Sequence, residues 1–119
     1  MVNSKEASFA YLETLSDEQL CAACQLGNRN AEEVLAARYH RLVRSIARPY
    51  FLAGGDNEDL LQEGMVGLIK AMREYDPHQA ASFCTFAEVC IRRRLYSVLK
   101  SASSGKHQPL NQAIPLNPS

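Results

Sequence analysis

Five residues spaced by steps of three and four, Phe86, Val89, Arg93, Tyr96 and Lys100, would share one face of a helix and alternate aromatic or apolar groups with cations. Nucleobases stack on aromatic rings for about 1–3 kcal/mol each, and neighbouring cations meet phosphates, so such a stripe suits an unstacked single strand of DNA or RNA. The competing structural reading is that Phe83 and Phe86 complete a core while the cations are solvated. A second stripe, Asp59, Gln62, Glu63 and Val66, is polar and mostly acidic. Paired carboxylates can exchange protons, but general acid–base work needs a pocket and a perturbed pKa, which an i, i+4 pair on a surface helix lacks. That ridge reads better as a docking face for a basic protein partner, or simply as a solubilising face. Cys21 and Cys24 have the C-x-x-C spacing of zinc or redox sites, yet no second pair completes four ligands. Packing of both thiols in a core is the simpler reading; a zinc-stabilised helical module using His78 or His107 is the rival. Cys84, Cys90 and His40 show no metal-like spacing. No catalytic constellation, metal site or cofactor is expected, and the chain reads as a binding protein and not an enzyme.

These stripes require helices, and the chain supplies punctuation for four. Ser16 and Gln19 form a capping box flanked by a Leu15–Leu20 staple, and Gly27 ends that helix. Asn30 with Glu33 starts a second, carrying Leu35, Tyr39, Leu42, Val43, Ile46 and Tyr50 inward and Arg41, Arg44 and Arg48 outward. Pro49 is expected to kink or end it. Gly54 and Gly55 mark a break, after which Asp56, Glu58 and Asp59 place acids in the first turn of a third helix running to about Tyr75. Leu61, Met65, Leu68, Met72 and Tyr75 form its apolar stripe, with Gly64, Gly67 and Ala71 implying a close helical neighbour. Asp76 and Pro77 stop it. Ser82 caps a fourth helix to about Ala102, whose inner face is Ala87, Ile91, Leu95, Val98 and Ala102. The fold expected is all-α, a compact bundle of about four helices, with an N-terminal arm at 1–15, the helical domain at 16–104 and a linker or frayed tail at 105–119.

The 119 residues suffice for one domain with its own core, and a composition of 46% hydrophobic and 22% charged residues excludes wholesale disorder. No apolar run approaches the ~20 residues of a membrane span, and Lys5 and Glu6 break any signal-peptide pattern, so a cytoplasmic location without membrane association is expected. The zero net charge is a sum of segregated blocks: minus four over residues 1–33, plus four over 34–55, minus four over 56–76 and plus four over 77–119. Such segregation points to one acidic and one basic partner surface, the basic one being the usual footprint of nucleic acid.

The runs Asp59-Leu-Leu-Gln-Glu-Gly-Met-Val-Gly-Leu68 and Phe83-Cys-Thr-Phe-Ala87 with Ile91-Arg92-Arg93, separated by Tyr75-Asp76-Pro77, resemble region 2 of the bacterial sigma-70 family over roughly residues 16–104. In detail they are most similar to the sporulation and stationary-phase group typified by sigma-H, and Lys106 to Asn111 resembles that group's following segment. The resemblance implies that Asp59, Gln62, Glu63, Met65 and Ile69 dock on the coiled coil of the largest catalytic subunit of core RNA polymerase. It implies further that the next helix holds the non-template strand of the melted minus-ten promoter element. Phe83, Thr85 and Phe86 would then line a pocket for a flipped base, with Val89, Arg92, Arg93, Tyr96 and Lys100 completing the DNA face and Arg93 and Tyr96 at the upstream edge. Flipping costs a few kcal/mol per base, which stacking and phosphate contacts offset. Where primary sigma factors carry adjacent tryptophans this chain has Val89 and Cys90, which implies weak autonomous melting and an alternative sigma factor. A full family member continues into a domain that reads the minus-thirty-five element, so residues 1–119 are not expected to select a complete promoter alone. An anti-sigma-type regulator is a further partner, and a helical module that binds such a regulator without DNA is the rival function.

Overall fold

The ends of the helices are set by local chemistry that is visible in the hydrogen bonds. The computed structural model describes residues 4–52 and 57–105, which form α1 (Ser4–Leu12), α2 (Asp17–Gln25), α3 (Arg29–Leu52), α4 (Asn57–Glu74) and α5 (Phe83–Gly105). Among the described residues the fold is all-α. The Ser16 hydroxyl accepts from the Gln19 N–H at 3.0 Å while the Gln19 side chain accepts from the Ser16 N–H at 2.9 Å, closing the expected capping box. α2 stops at Gly27, whose φ of +98° favours glycine. There the Gly27 N–H bonds the Cys24 carbonyl and the Asn28 N–H bonds the Ala23 carbonyl, the paired bonds of a Schellman motif. Ser82 caps α5, accepting from the Thr85 N–H at 3.2 Å.

Several local details add to or correct the expectations. The segment before Ser16 contains α1, which packs on α3 and buries Leu12. The cap of α3 is Asn28 and not Asn30: its side-chain oxygen accepts from the Ala31 N–H at 3.0 Å. Of the two outcomes expected at Pro49, a kink or an end, the end is ruled out, since Pro49 lies inside α3. The bond it forfeits is to the Ser45 carbonyl, and both residues are exposed, so the loss falls on the solvent side of the helix and not in the core. Finally, α5 continues through Ser103, Ser104 and Gly105, since a few weak helix formers at the end of a 23-residue helix cost less than the propagation already established. The Gly54–Gly55 break, Asp56, the side chain of Ala102, His107 and the segment from Lys106 lie outside what is described.

The core joins all five helices. Leu20, Leu35, Val43, Leu68, Met72, Phe83, Ile91 and Leu95 are fully buried, and among the described residues no polar or charged group is buried with them. α4 and α5 run antiparallel, joined by the turn at 75–82, and they approach closely where side chains are small. A Cβ on Gly67 would stand 3.0–3.1 Å from Arg94 Cβ, the Cys90 carbonyl and Ile91 Cα, and one on Gly64 would stand 2.7 Å from Val43 Cγ1. Gly67 therefore sets the separation of α4 and α5, the two helices that carry the stripes, and Gly64 sets the approach of α4 to α3.

α2 braces this hairpin on both sides of its turn. The Gln25 side chain donates to the carbonyls of Met72 at 3.0 Å and Tyr75 at 2.9 Å, satisfying orphan acceptors where α4 ends. Two turns earlier, the Glu18 carboxylate accepts from the Phe83 N–H at 3.0 Å, satisfying an orphan donor where α5 begins. Asp17 anchors α2 to α3 by accepting from the Tyr39 hydroxyl and from Arg38 at 2.9 Å, while Arg38 also donates to the Glu13 carbonyl. Burial first, and then the Asp17 carboxylate, push the Tyr39 phenol well above its ordinary pKa.

Candidate nucleic-acid interface

The start of α5 is an aromatic cluster with one side inward and one outward. Phe83 is sealed between Tyr39 and Tyr75, its ring edge-on to both at centroid distances of 5.3 and 5.5 Å. The Tyr75 hydroxyl donates to the Ala81 carbonyl at 2.9 Å, so the turn is pinned to the same cluster. Phe83 is thus corrected from base-pocket residue to core residue: with no exposed surface it cannot stack on a base. Phe86, three residues on, packs on Tyr75 at 5.7 Å and is half-buried, leaving part of its ring at the surface.

Beyond Phe86 the outer face of α5 presents the rest of the stripe. Thr85, Val89, Arg92, Arg93 and Lys100 are exposed and Tyr96 is half-buried, while Ala87, Ile91 and Leu95 on the opposite side are sealed in the core. Val89 keeps 41% of its surface open, an exposed apolar group flanked by cations. The face offers a partly open ring, a phenol and three cations along one rigid helix, the combination that single strands recognise.

The ridge on α4 is less uniform than its sequence suggests. Gln62 and Val66 are exposed, as is Asp59, whereas Met65 and Ile69 are half-buried and pack against the core. Glu63 is not an open carboxylate. Its Oε1 accepts from Arg94 of α5 at 2.7 Å and 2.8 Å, with both side chains about one-third exposed. The sequence reading missed this pair because its members lie 31 residues apart.

Between the two stripes runs a cleft of about 280 Å³, walled by Gly67, Lys70 and Glu74 of α4 and by Cys90, Arg93, Arg94 and Ser97 of α5. Burial, then Glu74, push the Cys90 thiol pKa up, and Arg93 and Lys70 pull against them, as expected of cations facing the same groove. The C-x-x-C pair lies elsewhere. Cys21 is buried and Cys24 half-buried, and burial pushes their thiols up to about 12 and about 11. Both are reduced, and among the described residues no three His, Cys, Asp or Glu side chains converge as a metal site would need. No helix among those residues is long and apolar enough to cross a membrane.

The family model for sigma-70 region 2 matches residues 35–104, which span most of α3, all of α4 and nearly all of α5. This chain belongs to the sigma-70 family. It is similar to the RNA polymerase sigma-H factors of Bacillus licheniformis and Bacillus subtilis, with 42% identity to each over 103 residues. Those residues cover 87% of this chain and 46% and 47% of the two relatives. A shorter similarity, 44% over 69 residues, links it to the RNA polymerase sigma factor FliA of Pseudomonas aeruginosa, covering 54% of this chain and 27% of that one. The chain therefore spans about half the length of the sigma-H relatives, and the part matched by the family model is the α3–α5 unit that carries both stripes. α1 and α2 lie before the residues matched by the family model; α2 is the brace described above and α1 packs on α3.

Proposed function

We propose that this chain is a sigma region 2 domain that docks on core RNA polymerase through α4 and holds the melted minus-ten promoter element through α5. The observation that carries this reading is the display of two chemically different stripes on consecutive antiparallel helices fixed at close range by Gly67. Asp59, Gln62, Glu63, Met65 and Ile69 form the polymerase face, the last two supporting it from their half-buried positions. Thr85, Phe86, Val89, Arg92, Arg93, Tyr96 and Lys100 form the DNA face, with Phe83 supporting Phe86 from inside through Tyr75.

The domain acts by binding. Unstacking a base costs a few kcal/mol, and stacking on Phe86 together with phosphate contacts from the arginines offsets it. Val89 has little surface to wedge a duplex, so the polymerase shares the work of opening DNA, and the domain captures what opens. We further propose a role among alternative sigma factors of sporulation or stationary phase, acting in the cytoplasm, a reading supported by the similarity to sigma-H factors. An anti-sigma regulator would compete for one of the two stripes.

Anisotropy of labelled minus-ten non-template oligonucleotides, with the chain assembled on sigma-free core polymerase, tests the proposal. Sequence preference and salt sensitivity are expected. Formation of the polymerase complex with no preference among oligonucleotides would leave a protein-interaction module instead.

A further inference from the structure

Lys70 belongs to neither stripe, yet it faces the α5 cations across the cleft, and this juxtaposition has a use. We infer that the cleft formed by Lys70, Arg93, Arg94 and Ser97 is a phosphate site, occupied by a backbone phosphate of the strand whose base lies on Phe86; in that occupancy the inference rests on the proposed function.

Three cations from two helices line one groove of about 280 Å³ together with one carboxylate, Glu74; Arg94 is paired with Glu63 outside the lining, which leaves Lys70 and Arg93 as the cations that set the charge of the groove. Gly67 is the floor, and its missing side chain is what lets the walls converge, since a Cβ there would press on α5 at 3.0–3.1 Å. Arg94 is fixed in place by Glu63, so its position costs no further ordering when a ligand arrives. Lys70 and Arg93 are exposed and neither takes part in any of the ion pairs of the described residues. The walls carry no aromatic group, so the cleft suits an oxyanion better than a base.

Its place along α5 fits the strand. Phe86 and Arg93 are seven residues apart, about 10 Å along the axis at 1.5 Å per residue. Stacked nucleotides advance about 3.4 Å each along a strand, and unstacked ones further, so a phosphate two or three linkages from the stacked base reaches the cleft. Lys70 thereby joins the helix that faces the polymerase to the strand held by its neighbour.

Two arms test this. In the first, inorganic phosphate is titrated onto the isotope-labelled chain at low ionic strength while backbone amide resonances are followed. Saturable shifts confined to residues around Gly67, Lys70, Cys90, Arg93 and Ser97 are expected, tightened several-fold by Glu74→Gln and lost in Lys70→Ala, with Arg48→Ala as the control cation. Equal shifts at Arg41, Arg44 and Arg48 would mean general screening and overturn the site. This arm does not depend on DNA recognition, so it stands even if the proposed function fails.

In the second arm, single methylphosphonate linkages are moved along the minus-ten strand bound to the polymerase complex. One linkage should cost about as much affinity as Lys70→Ala, roughly fivefold, with no further loss when the two are combined, and the slope of log affinity against log salt should become shallower by about 0.7. If no linkage shows this redundancy while adenosine monophosphate binds the cleft, the phosphate comes from a free nucleotide and not from the strand. Absence of response in both arms refutes the inference.

Discussion

Truncation of Phe83 separates a core role from a base-contacting one. The ring has no exposed surface and makes edge-to-face contacts with Tyr39 and Tyr75. Phe83→Ala leaves a cavity under the turn that joins α4 to α5, and removal of a buried phenyl ring costs about 3–5 kcal/mol. The upper half of that range applies, because two aromatic pairs are lost as well. A domain of this size has about 5–15 kcal/mol in all, so the variant approaches the limit of folding at 37 °C. At about 3–5 °C per kcal/mol, interpolated for this chain length, the melting temperature should fall by about 15 °C. Circular dichroism on heating, and urea titration at 10 °C, measure this directly. Phe83→Leu retains much of the volume and should cost about 1–2 kcal/mol while leaving oligonucleotide affinity within about twofold. A Phe83→Leu variant of normal stability that no longer binds the strand would refute the burial argument and return Phe83 to the DNA face.

Other consequences are equally measurable. Glu18→Ala removes the acceptor of the Phe83 N–H and should cost about 1–2 kcal/mol, with faster hydrogen exchange at residues 83–86 than at 91–95. Glu63→Lys should abolish polymerase binding and also lower stability by about 0.5–1 kcal/mol, because it breaks a half-exposed pair with Arg94; Arg94→Ala should reproduce the stability loss and spare polymerase affinity. The thiols of Cys21 and Cys24 sit at about 12 and about 11 when folded, against an ordinary 9.0, so their contribution to stability is complete below pH 9 and disappears as pH rises toward 11–12. Urea midpoints should accordingly be flat from pH 7 to 8.5 and decline above 9, and alkylation at pH 8 should modify exposed Cys84 well before either of them.

What was legible in the sequence was local. The Ser16–Gln19 box, the Gly27 stop and the Ser82 cap are each decided within a few residues, and the inner stripe of α5 follows from helical spacing alone. α1 escaped because its apolar residues do not form a clear stripe; only Phe9 and Leu12, three apart, hint at the packing that holds it. The brace escaped for a different reason. Glu18 and Gln25 look like ordinary polar positions of a surface helix, and their partners lie 65 and about 50 residues away. Phe83 and Phe86 share an aromatic identity, and only the placement of Tyr39 and Tyr75 decides which one faces inward. Glu63 illustrates the same limit on α4, where an apparently open carboxylate is tied to the neighbouring helix.

The most direct test of the two-stripe account is the affinity of the chain on core polymerase for a minus-ten non-template strand, compared between native protein and Phe86→Ala. Loss of a stacking ring worth about 1–3 kcal/mol should weaken binding by roughly five- to a hundredfold, with polymerase affinity nearly unchanged and the melting temperature lowered by only about 5 °C, since the half-buried ring also packs on Tyr75. Binding of the strand that is indifferent to Phe86, or lost only in step with stability, would contradict the assignment of the outer face of α5 to unstacked DNA.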